Sequence, residues 1–164
     1  MHSGTKALGV VGSAVGVNAA AAGNLLARAD VPAVMVAAFE AQFEAGGAAS
    51  DVAAITPFEA VGGSSPGVRM RFATERAHFA AMLLQALRAG VKAGGEAGSI
   101  HSAGLLVVRD VSWPIVDLRV DWADKDPVAK LAALWKRYEP QVEDYIRRAL
   151  DPAAAPSFGV PGDR

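Results

Sequence analysis

The stretch HSAGLLVVRDVSWPIVDLRVDW, from His101 to Trp122, decides the fold. Leu105 to Val108 form a continuous apolar run, which is typical of a strand that is covered on both faces. After a turn over residues 110–114, apolar and charged side chains alternate from Ile115 to Asp121, and this is the period of a second strand. Because the turn between the two runs is short, the sequence predicts an antiparallel hairpin.

Asp117, Arg119 and Asp121 occupy every second position of the second strand, so they share one face. Three interpretations stay open: a solvent-facing or edge ladder, a buried or interfacial ion network, for which arginine is well suited, or a substrate-binding face. A metal site made from the two aspartates would require Arg119 to swing away, so the pattern favours none. The three histidines are too scattered for a metal triad, and no nucleotide-binding fingerprint occurs, so we predict no cofactor.

His101 and Ser102 stand together at the start of the first strand of this hairpin. Neighbouring strand residues point to opposite faces, so the two side chains are not expected to form a nucleophile–base pair with each other. The default interpretation is a strand start with local hydrogen bonds. The alternative is that one of the two residues contributes to a substrate site.

The N-terminal part of the chain is rich in glycine and valine. Residues 7–17 predict a strand with a glycine turn, or a hairpin centred near Gly12 and Ser13. Asp30 resembles a helix N-cap, and the apolar spacing that follows predicts an amphipathic helix over residues 31–45. Glycine, serine and proline make residues 46–67 a predicted loop.

Two further helices complete the predicted order of elements. One runs from Thr74 to Lys92, and the other begins after the N-cap Asp126 and is kinked or split by Pro140. The order of strands, helix, helix, strands and helix predicts one α+β layered domain over residues 1–150. Residues 151–164 carry three prolines and predict an extended tail.

Composition narrows the functional classes. The 164 residues have a net charge of −1, without a basic run and with 7% aromatic residues, which argues against nucleic-acid binding. No apolar run reaches the length of a membrane span, so no membrane partner is expected. The chain has no cysteine, which fits a cytoplasmic location, although its first residues loosely resemble a signal peptide and leave export open.

Five motifs occur in a recognisable order: SGTKALG, AAAAGNLLARADVPAVMVAAFEA, GGEAGSIHSAGLLVVRD, VDLRVDW and DPVAKLAALWKRY. Together they resemble a bacterial Ntn-hydrolase-like family of unknown function, some of whose members are labelled as fimbrial assembly proteins. The resemblance covers most of the chain and is weakest over residues 46–70. It implies an αββα sandwich of two antiparallel sheets flanked by helices, and a possible amidohydrolase acting on a small amide-containing substrate.

The resemblance also implies a position within the family pattern. The chain resembles the C-terminal portion of a member, so we expect the leading strands, with their N-terminal nucleophile, to be missing and the chain alone to be inactive. Cleavage before Thr5 would instead expose an N-terminal threonine nucleophile.

Asn24, after Gly23, has two interpretations. One is an amide donor to a developing oxyanion or a pocket residue, and the other is a polar turn before a helix. The resemblance strengthens the first interpretation without excluding the second, and it also strengthens Asp117 and Arg119 as candidates for substrate binding.

The alternative to an enzyme is a non-catalytic structural module of the same fold. Such a module would self-associate through an exposed sheet edge, because unpaired backbone groups favour pairing with another chain. We therefore expect a homo-oligomer.

Overall fold

The computed structural model describes residues 9–47, 66–109 and 111–156. They form a mixed α+β structure with two small antiparallel sheets and helices, which confirms the predicted α+β class. The strands are β1 (Val10–Val15), β2 (Ala20–Leu26), β3 (Ala103–Val107) and β4 (Val116–Val120). The helices are α1 (Val31–Gly47), α2 (Pro66–Lys92), α3 (Pro127–Tyr138) and α4 (Val142–Leu150).

The predicted central hairpin is confirmed: β3 and β4 pair in antiparallel register from Ala103 opposite Val120 to Val107 opposite Val116. One face of this sheet belongs to the larger hydrophobic core. Buried residues from α2, α3, α4 and the sheet share that core: Ala80, Leu84, Leu105, Val107, Val116, Val120, Leu131, Trp135, Val142 and Ile146.

The opposite face of β3 differs from the prediction. Leu106 is 55% exposed and Val108 is also exposed, so the apolar run is covered on one face only within the described residues. The expectation of cover on both faces is wrong there. An apolar run places apolar side chains on both faces of a strand, but it does not show whether another element packs on each face.

The first hairpin is present, but its predicted centre is wrong. Gly12 and Ser13 lie inside β1, where they pair with Gly23 and Ala22, and the chain turns later, where the backbone N–H of Gly16 donates to the Ala19 carbonyl at 2.7 Å. A Cβ on Gly12 would lie 2.3 Å from the carbonyl oxygen of Ala29. Gly12 therefore permits close approach of two backbone segments rather than a turn.

The two helices that follow β2 have shifted ends. Helix α1 starts at Val31 as predicted and continues to Gly47, two residues beyond the predicted end. Helix α2 starts at Pro66, well before the predicted Thr74, so the end of the predicted loop is helical. The Asp30 carboxylate precedes α1 but accepts hydrogen bonds from the Arg28 guanidinium.

The sequence signals at α3 are confirmed. The Asp126 carboxylate accepts a hydrogen bond from the backbone N–H of Ala129 at 2.8 Å, with Pro127 in the first turn. Asp126 has a left-handed backbone with φ of 41°, which an aspartate tolerates better than most residues. Pro140 separates α3 from α4 within a short 3₁₀ turn, Glu139–Gln141, because it has no N–H to continue the helix.

Beyond α4, Pro152–Ala154 form another 3₁₀ turn, and the rest of the predicted tail lies outside the described residues. The boundary at residue 150 remains a prediction. None of the helices within the described ranges combines the length and the apolar character that crossing a membrane requires.

Candidate functional site

The β3–β4 outer face carries most of the polar residues that the sequence suggested. We use this name for the solvent side of the second hairpin, which includes Ser102, Gly104, Leu106, Asp117, Arg119 and Asp121. Gly104 lies opposite Arg119, and Leu106 lies opposite Asp117. A shallow groove of about 380 Å³ lies over the surface of the paired strands, along residues 102–106 and 117–121. The floor is partly apolar, and charged groups line the β4 side.

Asp117 and Arg119 form a two-point ion pair on this face. The Arg119 Nε donates to Asp117 Oδ1 at 2.9 Å, and a second guanidinium nitrogen donates to Oδ2 at 3.1 Å. These hydrogen bonds, followed by the charges of Asp117 and Asp121, raise the pKa of Arg119. Both side chains are well exposed, so the pair fixes the orientation of the groups and adds little stability.

His101 is held at the start of β3 by a hydrogen bond between its Nδ1 and the Ala123 carbonyl oxygen at 2.9 Å. A carbonyl oxygen only accepts, so Nδ1 carries the hydrogen. The ring also lies parallel to the indole of Trp122, with centroids 4.2 Å apart. His101 is half-buried in this arrangement, whereas Ser102 is exposed.

Asn24 lies in β2, in the other sheet, and not in a turn before a helix. The pairing of β1 with β2 is irregular at this point, because Val10 pairs with Leu26 but Gly12 pairs with Gly23. One extra residue on β2 is therefore accommodated around Asn24. The next residue, Leu25, has a left-handed backbone with φ of 51°. Bulges of this kind redirect side chains and occur often beside active sites.

The structure brings some of the candidates together and leaves others apart. His101, Ser102, Asp117 and Arg119 all lie on or beside the second hairpin, whereas Asn24 belongs to the first. Thr5 lies outside the described residues. Within residues 9–47, 66–109 and 111–156, no three histidine, aspartate or glutamate side chains are grouped so that they could hold a metal ion.

Two features were missed by sequence reasoning. The first is Trp122, which follows β4 and is 67% exposed although its ring is fixed on His101. The second is Glu40 on α1, whose carboxylate accepts from the backbone N–H and the side-chain amide of Asn18, at 2.7 and 2.8 Å. These bonds lower the pKa of Glu40. No local pattern reveals a contact between residues so far apart in the sequence.

The comparisons with known proteins identify a family of unknown function, and this part of the motif resemblance is confirmed. The family model for DUF1028, a family of unknown function, matches residues 1–131. The chain belongs to the DUF1028 family. The curated proteins contain no match to it.

A solved relative of this DUF1028 protein supports the fold. Protein SPO2555 from Silicibacter pomeroyi, whose crystal structure is described with the same family, superposes with a TM-score of 0.56 at 24% sequence identity. The alignment covers 90% of this chain and 50% of that chain, so the DUF1028 protein described here spans about half the length of its relative. At this identity the similarity concerns the fold alone.

Proposed function

We propose that this chain contributes to an Ntn-hydrolase-like αββα domain that hydrolyses a small amide. In this proposal Asn24 donates a hydrogen bond to the oxygen that becomes negatively charged when the amide carbon is attacked. The attacking group is an N-terminal hydroxyl or thiol, as the motif resemblance implies. The described residues supply the donor and the substrate-binding groups.

The bulge at Asn24 is the observation that carries this proposal. A left-handed leucine is strained, and such strain persists where the surrounding structure fixes it, often at functional positions. Leu25 is held in this way, since its carbonyl accepts a hydrogen bond from the Ala97 N–H at 2.7 Å. The strain directly follows an exposed amide side chain, which is the type of group that stabilises an oxyanion.

Exposed apolar residues on the outer faces of both hairpins support a layered domain. Val11 and Val15 are exposed on the first hairpin, with Val15 at 77%, and Leu106 and Val108 are exposed on the second. Sheets with apolar outer faces are stabilised when a second sheet packs on them. The solved relative has twice the aligned length, which is enough chain for such a layer.

The β3–β4 outer face is the proposed substrate-binding surface. Its Asp117–Arg119 pair offers both a carboxylate and a guanidinium in fixed positions, and Leu106 offers an apolar contact beside them. A small amide that carries polar groups at one end and an aliphatic group at the other matches this combination. Ser102 lies at the end of the same groove, and His101 lies beside it.

Hydrolysis of a panel of amino-acid anilides and N-acyl amino acids tests the proposal through release of the amine. The chain alone should release none, whereas the protein joined to the N-terminal nucleophile segment that the proposal requires should release the amine. We expect Asn24→Ala to abolish release by the joined protein. Ser13→Ala is the matched control, because Ser13 also lies exposed in the first sheet, and it should retain activity. No release by the joined protein, or equal release by its Asn24→Ala variant, would contradict the proposed enzyme. Intact mass measures whether the first four residues are removed to expose Thr5.

The same exposed valines and leucine favour a second candidate function, which is a non-catalytic module that associates with further copies of itself. Apolar patches of this kind commonly mark protein interfaces. Light scattering after size-exclusion chromatography should then give an oligomer that Val15→Asp converts to a monomer. Val17→Asp is the control, because Val17 is exposed in the turn beyond β1. A strict monomer at high concentration would exclude the candidate.

A further inference from the structure

Trp122 is an exposed aromatic side chain with a fixed orientation. It follows β4 and has 67% of its surface in solvent. Single exposed apolar residues are common and require no explanation. Trp122 differs because contacts hold both one face and one edge of its indole.

The indole face is held by His101, whose ring is parallel to it within 2° at a centroid distance of 4.2 Å. His101 is fixed in turn by its Nδ1 bond to the Ala123 carbonyl, and the Ala123 N–H donates back to the His101 carbonyl at 2.7 Å. The indole edge is held by Asp124, because the Trp122 Nε1–H donates to Asp124 Oδ1 at 3.2 Å. Binding of a ligand to the second face would therefore cost little conformational entropy of the Trp122 side chain, because that side chain is already fixed.

The segment around Trp122 is acidic. Residues 121–126 contain three aspartates and one lysine. Asp126 is occupied as the cap of α3, and Asp121 lies on the β3–β4 outer face, where its charge acts on Arg119. Asp124 is exposed, and its carboxylate lies at the indole edge. A cation over an indole face is attracted by the ring and here also by this negative charge.

We propose that the free face of Trp122 binds a guanidinium group, with Asp124 supplying the opposite charge. A guanidinium fits better than an ammonium because it is planar, weakly hydrated and able to stack on an aromatic ring. It also donates two parallel hydrogen bonds to one carboxylate. Free arginine and an arginine side chain of a peptide carry the same group.

NMR of the 15N-labelled protein tests this site directly through the Trp122 indole N–H. Methylguanidinium should shift this signal in a saturable manner, while urea at the same concentrations should leave it in place, because urea is planar but uncharged. Trp113 and Trp135 give internal control signals that should not move. A shift of equal size with urea, or no shift with methylguanidinium, would overturn the proposal.

Line broadening of the methylguanidinium methyl signal measures binding to variants. Asp124→Asn retains an oxygen that can accept from the indole but removes the charge, so we expect binding about threefold to tenfold weaker. Trp122→Leu should abolish it. Asp151→Asn, a distant exposed aspartate, is the matched control and should bind as the unaltered protein does. Equal affinity of Asp124→Asn and Asp151→Asn, or retained binding by Trp122→Leu, would contradict the site.

Two further ligands identify the source of the guanidinium. N-acetyl-arginine amide represents an arginine within a peptide, and free L-arginine represents a small molecule. Binding of both supports a site that reads only the side chain. Binding of free arginine alone supports a small-molecule site, while failure of both, despite a shift with methylguanidinium, overturns the assignment to arginine. None of these outcomes depends on amide hydrolysis.

Discussion

The two hairpins of this protein are stabilised in different ways. β3 and β4 place large aliphatic side chains, such as Leu105 and Val116, into a shared core with helices α2, α3 and α4. β1 and β2 instead turn glycine and alanine inward, so that their backbone lies close to neighbouring segments. A Cβ on Gly12, for example, would be 2.3 Å from the carbonyl oxygen of Ala29.

This difference predicts different sensitivities to substitution. The second hairpin should be damaged by removal of atoms, because cavities form in its core. The first should be damaged by addition of atoms, because its inner surface has no space for them. Each hairpin therefore serves as a control for the other.

The largest effect is expected in the core of the second hairpin. Leu131 is fully buried on α3, so Leu131→Ala should lower the free energy of unfolding by about 2–5 kcal/mol. Urea unfolding followed by circular dichroism measures the change. Leu134→Ala, on the same helix but exposed, is the matched control. Similar losses for both variants would show that the core does not depend on this helix face.

A smaller loss should follow the addition of one methyl group to the first hairpin. Gly12→Ala places a Cβ against the Ala29 carbonyl and should cost about 1–3 kcal/mol in the same assay. The control is Gly98→Ala, because a Cβ there meets nothing within 4 Å and should change stability by at most about 0.5 kcal/mol. If Gly12→Ala is as stable as the control, close backbone approach does not determine this hairpin.

The smallest effect concerns the hydrogen bonds between Asn18 and Glu40. Asn18 donates to the Glu40 carboxylate and holds its pKa below the ordinary 4.5. On acidification the unfolded chain takes up this proton first, so the stabilisation is present above 4.5 and is lost as the pH falls through the folded-state pKa. Glu40→Gln should lower Tm slightly at neutral pH and flatten the fall of Tm on acidification.

Thermal unfolding at a series of pH values measures this contribution. Glu44→Gln, one helical turn further along α1, is the matched control, because it removes a carboxylate charge from the same helix. An unaltered pH dependence in Glu40→Gln would mean that this carboxylate does not stabilise the first hairpin.

Sequence reasoning was accurate where a local signal and the tertiary structure agreed. The α3 start followed from Asp126 and Pro127, and the break at Pro140 followed from its missing N–H. The pairing of β3 with β4 followed from the short turn between the two strand-like runs. In these places each residue fixes its own local conformation, so distant parts of the chain are not needed to predict it.

The failures arose where a residue serves a distant contact. Gly12 resembled a turn glycine, but its role depends on Ala29, seventeen positions later. The alanine-rich strand β2 also lacks the alternation of apolar and polar residues by which a strand is predicted. Asn24 was proposed from its neighbours in the sequence, but the bulge at this position results from the register of two strands. Trp122 was overlooked because stacking on His101 requires the hairpin to bring together two residues far apart in the sequence.

Position 126 tolerates fewer amino acids than most exposed positions do. The position demands a residue that tolerates a left-handed backbone and, at the same time, a short side chain that offers an acceptor to the Ala129 N–H. Glycine meets the first demand only, and serine or threonine meets the second only. Asparagine alone among the other amino acids shares both properties with aspartate. Redesign of this loop is therefore restricted to aspartate or asparagine at position 126.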